Sequence, residues 1–371
     1  MEKELSVKGA VFVIAEAGVN HNGDLMTALE LIDAAKVSGA DAVKFQTFTA
    51  DAIAVHDAPK PSYQLATTSS RESQHEMLRR LELSPESHLR LQAHAQHRGI
   101  EFLSTPFDRD SLSFLATELG LRKIKISSSD VTNLPLLVDV GRLGVEVILS
   151  TGMATLGEIE TALRCLVFGR TERRSLSSRA DLDEVFENSN WRSVLNSRIT
   201  LLHCTSEYPA PLDCVNLAAM STLKDAFGVR VGYSDHTDGS TVAVAAVARG
   251  AEVIEKHLTL DRRQSGPDHA ASIEPDEFKL LVQSIRETEL CIGRGDKGPT
   301  ASEVLTRKKM RKGLYAARDI SAGKTVSEED ITWARPAGES EATDYFDWLG
   351  KAAPHDIRSG DSMGRETLPD Q

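Results

Sequence analysis

Residues 11–47 read VFVIAEAGVNHNGDLMTALELIDAAKVSGADAVKFQT. An apolar run, Val11–Ala15, is followed by an amphipathic stretch, Leu25–Ser38, and then by a second apolar run, Asp41–Phe45. Parallel strands need a crossover connection, which is usually a helix. Two short strands on either side of a helix of this length therefore predict a parallel βαβ unit.

The same pattern recurs along the chain and predicts eight strands: Val11–Ala15, Asp41–Phe45, Ile100–Ser104, Lys123–Ser127, Val145–Ser150, Thr200–Cys204, Val229–Tyr233 and Glu252–Lys256. The predicted helices include Leu25–Ser38, Pro85–Arg98, Leu134–Arg142, Leu156–Val167, Thr241–Arg249 and Pro275–Ile292. Eight such units favour a (β/α)₈ TIM barrel over an open doubly wound sheet. No glycine-rich dinucleotide motif follows any of the strands, which also disfavours the open sheet.

The composition changes near Arg294 and predicts three segments. These are a barrel domain at residues 1–293, a linker at 294–312 and a small β-rich domain at 313–371. The small domain has three predicted strands, Leu314–Ala317, Ile331–Trp333 and Ala352–Ile357. Two segments exceed a minimal barrel, a long loop at Thr49–Leu83 and a polar insertion at Gly169–Arg198.

The charge balance excludes some classes of function. Among 371 residues, 43 are Lys or Arg and 55 are Asp or Glu, a net charge of −12. Such an acidic chain has no general footprint for nucleic acid or an anionic membrane. Its apolar runs are far shorter than the roughly 18 residues that span a bilayer. With no secretory signal and no CxxC spacing, we expect a reduced, cytoplasmic protein.

Polar residues at the predicted strand ends suggest an anion site, because TIM-barrel active sites lie at the carboxyl ends of the strands. Lys44 and Lys125 occur there with several serine and threonine hydroxyls. This set predicts binding of a compact anion such as phosphate or carboxylate. The alternative is that the lysines form structural salt bridges with Glu16, Asp130 or Glu255.

Other strand-end residues suggest metal binding and acid–base chemistry. His236 and His257 end adjacent predicted strands, so that both imidazoles could bind one divalent ion, or each could be an ordinary hydrogen-bonded histidine. Glu16 is a candidate general acid or base, or a salt-bridge partner of a barrel lysine. Asp268 either contacts a sugar hydroxyl or caps the helix near Glu274.

Eight motifs, in order, resemble those of the sialic acid synthase family. They are Ile14–Gly23, Val43–Thr47, Ser104–Asp108, Leu149–Met153, Leu202–Thr205, Gly232–Thr237, Glu255–His257 and Gly266–Asp268. The tail from Gly313 resembles the antifreeze-protein-like (SAF) domain that follows the barrel in these enzymes. The resemblance implies condensation of phosphoenolpyruvate with an N-acylated aminosugar. N-acetylmannosamine is the expected acceptor, giving N-acetylneuraminate and phosphate. The alternative acceptor is a 2,4-diacetamido-trideoxyhexose, as in legionaminate or pseudaminate synthesis.

The resemblance also implies roles for individual residues. His236 and His257 would hold Mn²⁺ or Mg²⁺, and Glu16 would handle the water or the tetrahedral intermediate. Arg335 would reach the acceptor's N-acyl group in a partner subunit's barrel, which implies a domain-swapped homodimer. The implied phosphoenolpyruvate pocket is Lys44, Gln46, Thr105, Lys125, Ser128, Ser150 and Ser234, and the implied acceptor side is Asp130, Ser206, Tyr208 and Asp268.

Two of these acceptor-side residues depart from the family pattern. Asp130 stands where the family has glutamate, and Ser206 stands where sialic acid synthases can have asparagine. The sequence therefore defines the type of reaction better than the acceptor. Two further hypotheses are a pyruvate aldolase that uses Lys44 or Lys125 as a Schiff base, and a non-catalytic sugar-binding protein.

Overall fold

Eight parallel strands form a nearly closed barrel in the computed structural model, which describes residues 10–188, 191–196, 198–293, 295–337 and 341–364. The strands are β1 (Phe12–Gly18), β2 (Ala42–Thr47), β3 (Glu101–Pro106), β4 (Lys123–Ile126), β5 (Glu146–Ser150), β6 (Ile199–Cys204), β7 (Arg230–Asp235) and β8 (Val253–His257). The hydrogen-bonded ladder runs β3-β2-β1-β8-β7-β6-β5-β4, and its end strands β3 and β4 contact each other. The predicted TIM barrel is confirmed.

The helices of this unit include one after each strand. They are α1 (Leu25–Val37), α2 (Ala50–Ile53), α3 (Ser62–Thr67), α4 (Gln74–Leu81), α5 (Pro85–Arg98), α6 (Arg109–Thr117), α7 (Leu134–Leu143), α8 (Leu156–Thr171), α9 (Arg179–Asn188), α10 (Trp191–Asn196), α11 (Ala219–Phe227), α12 (Thr241–Ala248) and α13 (Pro275–Ile292). Local signals set their ends. For example, the Ser84 hydroxyl accepts from the Ser87 backbone amide at the start of α5, and Gly99 ends α5 with a φ of 67°.

Strand alternation separates a helix-facing core from the barrel interior. On β1, Ala15 belongs to the core between strands and helices, whereas Ile14 belongs to a small inner core. That inner core consists of Ile14, Ala42, Leu103, Ile148, Leu202 and Val253, packed with the partly buried Phe12. The residues two positions further along these strands include Glu16, Lys44, Thr105, Ser150 and Glu255, so the polar side chains form the next layer up.

The segment Thr49–Leu83, predicted to be a loop, is helical in three places, α2, α3 and α4. The reason is local: Ser73 and Glu76 form a capping box that starts α4. Met77 and Leu81 then lie one helical turn apart on its buried face. The polar insertion Gly169–Arg198 contains the end of α8 together with α9 and α10.

A second unit is formed by the chain after Gly293. It contains α14 (Ala301–Met310), the antiparallel pair β9 (Gly313–Ala316) and β10 (Ile331–Ala334), and α15 (Tyr345–Trp348). The predicted linker at 294–312 contains α14, which starts at a capping box formed by Thr300 and Glu303. The third predicted strand, Ala352–Ile357, was wrong, since it makes only isolated bridges.

The small unit has its own apolar core. Its buried members are Leu314, Ala316, Ile320, Val326, Trp348, Ala353, Ile357 and Met363. Across the described ranges of both units, no helix combines the length and the apolarity that a membrane crossing requires.

Candidate active site

A cavity of about 880 Å³ opens at the carboxyl ends of the barrel strands. It gathers side chains that are far apart in the sequence, because each strand contributes its terminal residues to the same mouth. Apart from Asp130, the predicted site residues of the barrel unit line it: Glu16, Lys44, Gln46, Thr105, Lys125, Ser128, Ser150, Ser206, Tyr208, Ser234, His236, His257 and Asp268.

Buried charges form the floor of this cavity. Glu255 lies between two lysines, with Oε1 3.3 Å from the Lys125 Nζ and Oε2 3.5 Å from the Lys44 Nζ. The Ser234 hydroxyl donates to Glu255 Oε1 at 2.8 Å. Lys44 also forms an ion pair with Glu16. The lysines therefore form the salt bridges that the sequence offered as the alternative, and they also line a cavity. Binding of an anion there stays a prediction.

Burial and charge give the two carboxyl groups different protonation states. Burial raises the pKa of Glu16 to about 7, despite the neighbouring Lys44. Burial also acts to raise the pKa of Glu255, but Lys125 and Lys44 outweigh it and hold that pKa below its usual range. Near neutral pH, two lysines thus face one firmly ionised carboxylate and one carboxyl that is half protonated. The floor is therefore suited to a bound anion.

Hydroxyl and amide donors surround the lysines. The Lys44 Nζ donates to the Thr105 Oγ1 at 3.2 Å. The Gly152 backbone amide donates to the Ser128 Oγ at 2.9 Å, and a Cβ at Gly152 would lie only 2.2 Å from the Ser206 Oγ. The chain therefore passes close to these hydroxyls at Gly152. The Ser150 Oγ is buried and has no hydrogen-bond partner, so it is available to a ligand.

Two histidines stand beside this floor at the ends of β7 and β8. The His236 Nδ1 lies 2.7 Å from the Thr205 carbonyl oxygen, which makes Nδ1 the protonated nitrogen. The Nε2 therefore carries the lone pair, and it lies 3.3 Å from the Ser234 Oγ. One position before each histidine, Asp235 and Lys256 form a fully buried ion pair of 2.9 Å. This pair links the two strands and so holds the histidines at a set separation, with ring centroids 5.6 Å apart.

The donor set fits a divalent cation. Burial lowers the pKa of His236 to about 4 and that of His257 well below its usual range, so both imidazoles are neutral, as metal ligands must be. The His257 Nδ1 is buried without a hydrogen-bond partner, and the Asp268 Oδ2 lies 3.9 Å from it. Two neutral imidazoles and nearby oxygens suit Mn²⁺ or a similar ion.

Aromatic rings cover the histidines. Tyr208 stacks on His236 with centroids 4.2 Å apart and meets the edge of His257 at 5.7 Å. Tyr63 packs against Tyr208 at 5.0 Å. Burial raises the pKa of Asp268 to about 6, which leaves that carboxyl able to donate or accept a hydrogen bond near neutral pH. The arrangement suits a polar ligand with flat apolar faces.

Two of the predicted acceptor contacts, Asp130 and Arg335, stay predictions. Asp130 is buried, is not among the residues that line the cavity and accepts a hydrogen bond from the Asn133 Nδ2 at 2.9 Å. The shorter aspartate bonds within its own turn, and Ser127 and Ser129 line the cavity instead. Arg335 is an exposed residue of the second unit, and its proposed role stays a prediction.

Sequence reasoning missed the contribution of the insertion after β2. Tyr63, Gln64 and Gln74 line the cavity from this segment. No strand-end signal marks them, because they lie on short helices inside a segment that was predicted to be a loop. Glu255 was named only as a possible salt-bridge partner, yet it is the central carboxylate of the floor.

A separate group of histidine and carboxylate side chains lies in the same insertion. Among the residues that the structure describes, Asp51, His56 and His75 are the group of three whose ligand atoms all lie within 4.8 Å of one another. Arg79 donates to both Asp51 oxygens at 2.8 Å, and His75 lies 2.7 Å from one of them. The Asp51 carboxylate is thus already paired, and an ion-pair network accounts for this group.

The fold and the site define a TIM-barrel protein with a charged floor and two adjacent histidines at the carboxyl ends of its strands. The chain belongs to the NeuB family, whose sequence pattern matches residues 31–297, and an SAF domain matches residues 311–362. The resemblance to sialic acid synthases and the assignment of an SAF domain are therefore confirmed.

Several relatives of known name are similar over nearly the whole chain. N,N'-diacetyllegionaminic acid synthase of Campylobacter jejuni is 48% identical, over 95% of this chain and 98% of that protein. The protein of the same name from Legionella pneumophila is 42% identical, over 95% of this chain and 93% of that protein. The solved N-acetylneuraminic acid synthetase of Leptospira borgpetersenii is 34% identical over 80% of this chain and 90% of that one, with a TM-score of 0.64. Identity is thus higher to these legionaminic acid synthases than to the sialic acid enzyme.

Proposed function

We propose that this protein condenses phosphoenolpyruvate with a 2,4-diacetamido-2,4,6-trideoxyhexose to give N,N'-diacetyllegionaminic acid and phosphate. The observation that carries the proposal is 48% identity to a synthase of that name along 95% of the chain. N-acetylmannosamine, the acceptor first expected, has weaker support, because identity to the sialic acid enzyme is 34%. The diacetamido-trideoxyhexose, the alternative acceptor, therefore replaces it in the proposal.

The charged floor supports phosphoenolpyruvate as the anionic substrate. Lys44 and Lys125 are both buried and both lie within 3.5 Å of Glu255. Glu255 is the carboxylate that both ammonium groups share, and Glu16, the other partner of Lys44, has a pKa raised to about 7. The two lysines would therefore gain from a further anion, because the surrounding dielectric is low. Phosphate or carboxylate oxygens would bind these lysines together with the unpartnered hydroxyl of Ser150 and the hydroxyl of Thr105.

In this proposal, Glu16 handles the proton of the attacking water. In the proposed reaction, C3 of the enol phosphate bonds to the aldehyde carbon, and the aldehyde oxygen gains a proton. The oxygen of water then bonds to C2, and phosphate leaves as its C2–O bond breaks. A carboxyl with a pKa of about 7 can accept the water's proton and return it at neutral pH. The lysines offset the negative charge on phosphate as it departs.

A divalent ion, Mn²⁺ or Mg²⁺, is part of the proposal. His236 and His257 would hold it, because they are neutral and close together, and the His257 Nδ1 has no hydrogen-bond partner. When bound, such an ion acts as a Lewis acid on the acceptor's aldehyde oxygen, which is worth several kcal/mol. Tyr208 stacks on His236 and orients its ring.

The second unit enters the proposal through Arg335. This side chain is exposed on its own unit and is therefore free to meet a ligand elsewhere. By resemblance to the family, Arg335 reaches the acceptor's N-acyl group in the barrel of a partner subunit, within a domain-swapped homodimer.

Phosphate release from phosphoenolpyruvate with Mn²⁺ tests the proposal. We expect fast release with the diacetamido-trideoxyhexose and slow release with N-acetylmannosamine. The reverse order would make the protein an N-acetylneuraminate synthase, the second candidate, which its similarity to the Leptospira enzyme favours. Release with neither would refute both, and borohydride trapping with pyruvate would then test the aldolase hypothesis.

A further inference from the structure

One side of the cavity is apolar, in contrast to its charged floor. Ile53 of α2, Leu78 of α4 and Phe107, just after β3, line it there, with Val19, Met77 and Leu81 beside them. These six residues belong to one hydrophobic cluster with Phe48. Val19, Met77 and Leu81 are buried, but Ile53, Leu78 and Phe107 are only half-buried. The apolar wall, as we call these three residues, thus keeps exposed carbon surface.

The apolar wall is held in place by contacts within the insertion. Phe48 packs edge-on against Phe107, with ring centroids 6.1 Å apart. The Ala50 backbone amide donates to the Glu82 Oε1 at 2.6 Å and so ties the start of α2 to the end of α4. The capping box of Ser73 and Glu76 fixes the start of α4. The wall is therefore preformed, and a ligand need not order it.

Exposed apolar surface in a substrate cavity favours a substrate that has apolar groups to pack against it. N-acetylmannosamine presents hydroxyl groups at C4 and C6, and a wall of Ile, Leu and Phe offers these no hydrogen-bond partner. A 2,4-diacetamido-2,4,6-trideoxyhexose has an acetamido methyl group at C4 and a methyl group at C6. The chemistry of the wall matches the second sugar at both positions.

We infer that the apolar wall of Ile53, Leu78 and Phe107 selects the acceptor by packing against the methyl groups at C4 and C6 of a trideoxy sugar. The inference rests on the proposed function and adds to it the residues that distinguish the two acceptors. Ile53, Leu78 and Phe107 would affect only the choice of acceptor. The residues of the charged floor would bind phosphoenolpyruvate and take part in the reaction.

Leu78→Asn tests the inference, because the amide is close in size to the leucine side chain but polar. We expect kcat/KM for the diacetamido sugar to fall about tenfold, mainly through KM, as for a lost apolar contact in a specificity pocket. The KM for phosphoenolpyruvate should stay within about twofold, since uniform binding of that substrate is untouched. Leu65→Asn is the matched control: Leu65 lies on α3 of the same insertion, is 47% exposed and does not line the cavity.

Each outcome separates this inference from the proposed function. If the unaltered protein prefers N-acetylmannosamine, the proposed function fails, and the inference fails with it. If it prefers the diacetamido sugar but Leu78→Asn raises both KM values equally, or neither, only the inference is overturned. If Leu78→Asn does not fold, Ile53→Thr provides a second test, because Ile53 is the half-buried last residue of α2. This variant should also raise the KM for the acceptor.

Discussion

Glu255→Gln is the substitution that most directly probes the charged floor. The change keeps the size of the side chain and removes its negative charge. In the unaltered protein the carboxylate lies 3.3 Å from the Lys125 ammonium group and 3.5 Å from that of Lys44, so both lysines lose this counter-ion. At an effective dielectric constant of about 20, each contact at such a distance is worth roughly 5 kcal/mol before hydration is counted. Measured losses on breaking a buried ion pair are about 3–5 kcal/mol.

We expect the free energy of unfolding to fall by about 3 kcal/mol, the lower end of that range. The lower end applies because burial already lowers the pKa of Lys125, so this lysine can lose its proton when Glu255 is gone. Urea unfolding of the full chain, followed by a signal from the barrel, measures the loss. Added phosphate should stabilise Glu255→Gln more than the unaltered protein, because a bound anion supplies the missing charge.

Glu101→Gln is the matched control for this measurement. Glu101 also pairs with a lysine of the barrel, with its Oε1 3.2 Å from the Lys123 Nζ, but its side chain is 42% exposed. An exposed pair is worth about 0–1 kcal/mol, so this variant should be nearly as stable as the parent. Equal stability of the two variants, or no added effect of phosphate on Glu255→Gln, would refute the description of the floor as a buried ion network that accepts an anion.

Three further predictions follow from the site. Because the pKa of Glu16 is raised from 4.5 to about 7, its contribution to stability is full below pH 4.5 and is lost as the pH rises through 7. Urea unfolding at pH 5 and 8 measures this dependence, and Glu16→Gln should reduce the difference in unfolding free energy between the two pH values by about 3 kcal/mol. An unchanged difference would contradict the shift. His236→Ala should abolish Mn²⁺-dependent phosphate release while circular dichroism stays unchanged, and full activity would remove this histidine from the metal site. Arg335→Ala should raise the KM for the acceptor far more than that for phosphoenolpyruvate, and equal increases would count against an acceptor contact.

Much of the site was predictable because strand periodicity is visible in the sequence. A polar residue that ends an apolar strand must lie at the barrel mouth once the barrel closes, and this places Lys44, Lys125 and His257 without any tertiary information. The same reasoning does not define the direction of Asp130, since a residue in the turn after a strand can face either way. Its bond to Asn133 decides the direction.

The sequence by itself determined the eight parallel strands, the division near residue 293 and the set of polar side chains at the strand ends. Those features depend on local periodicity and composition, which any stretch of the chain displays. Only the tertiary structure decided that Glu255 lies between both lysines, that Asp235 and Lys256 tie the two histidine-bearing strands together, and that Ile53 and Leu78 face the same cavity. These contacts join positions that are distant in the sequence. The closing of the barrel and the folding of the insertion over its mouth bring them together.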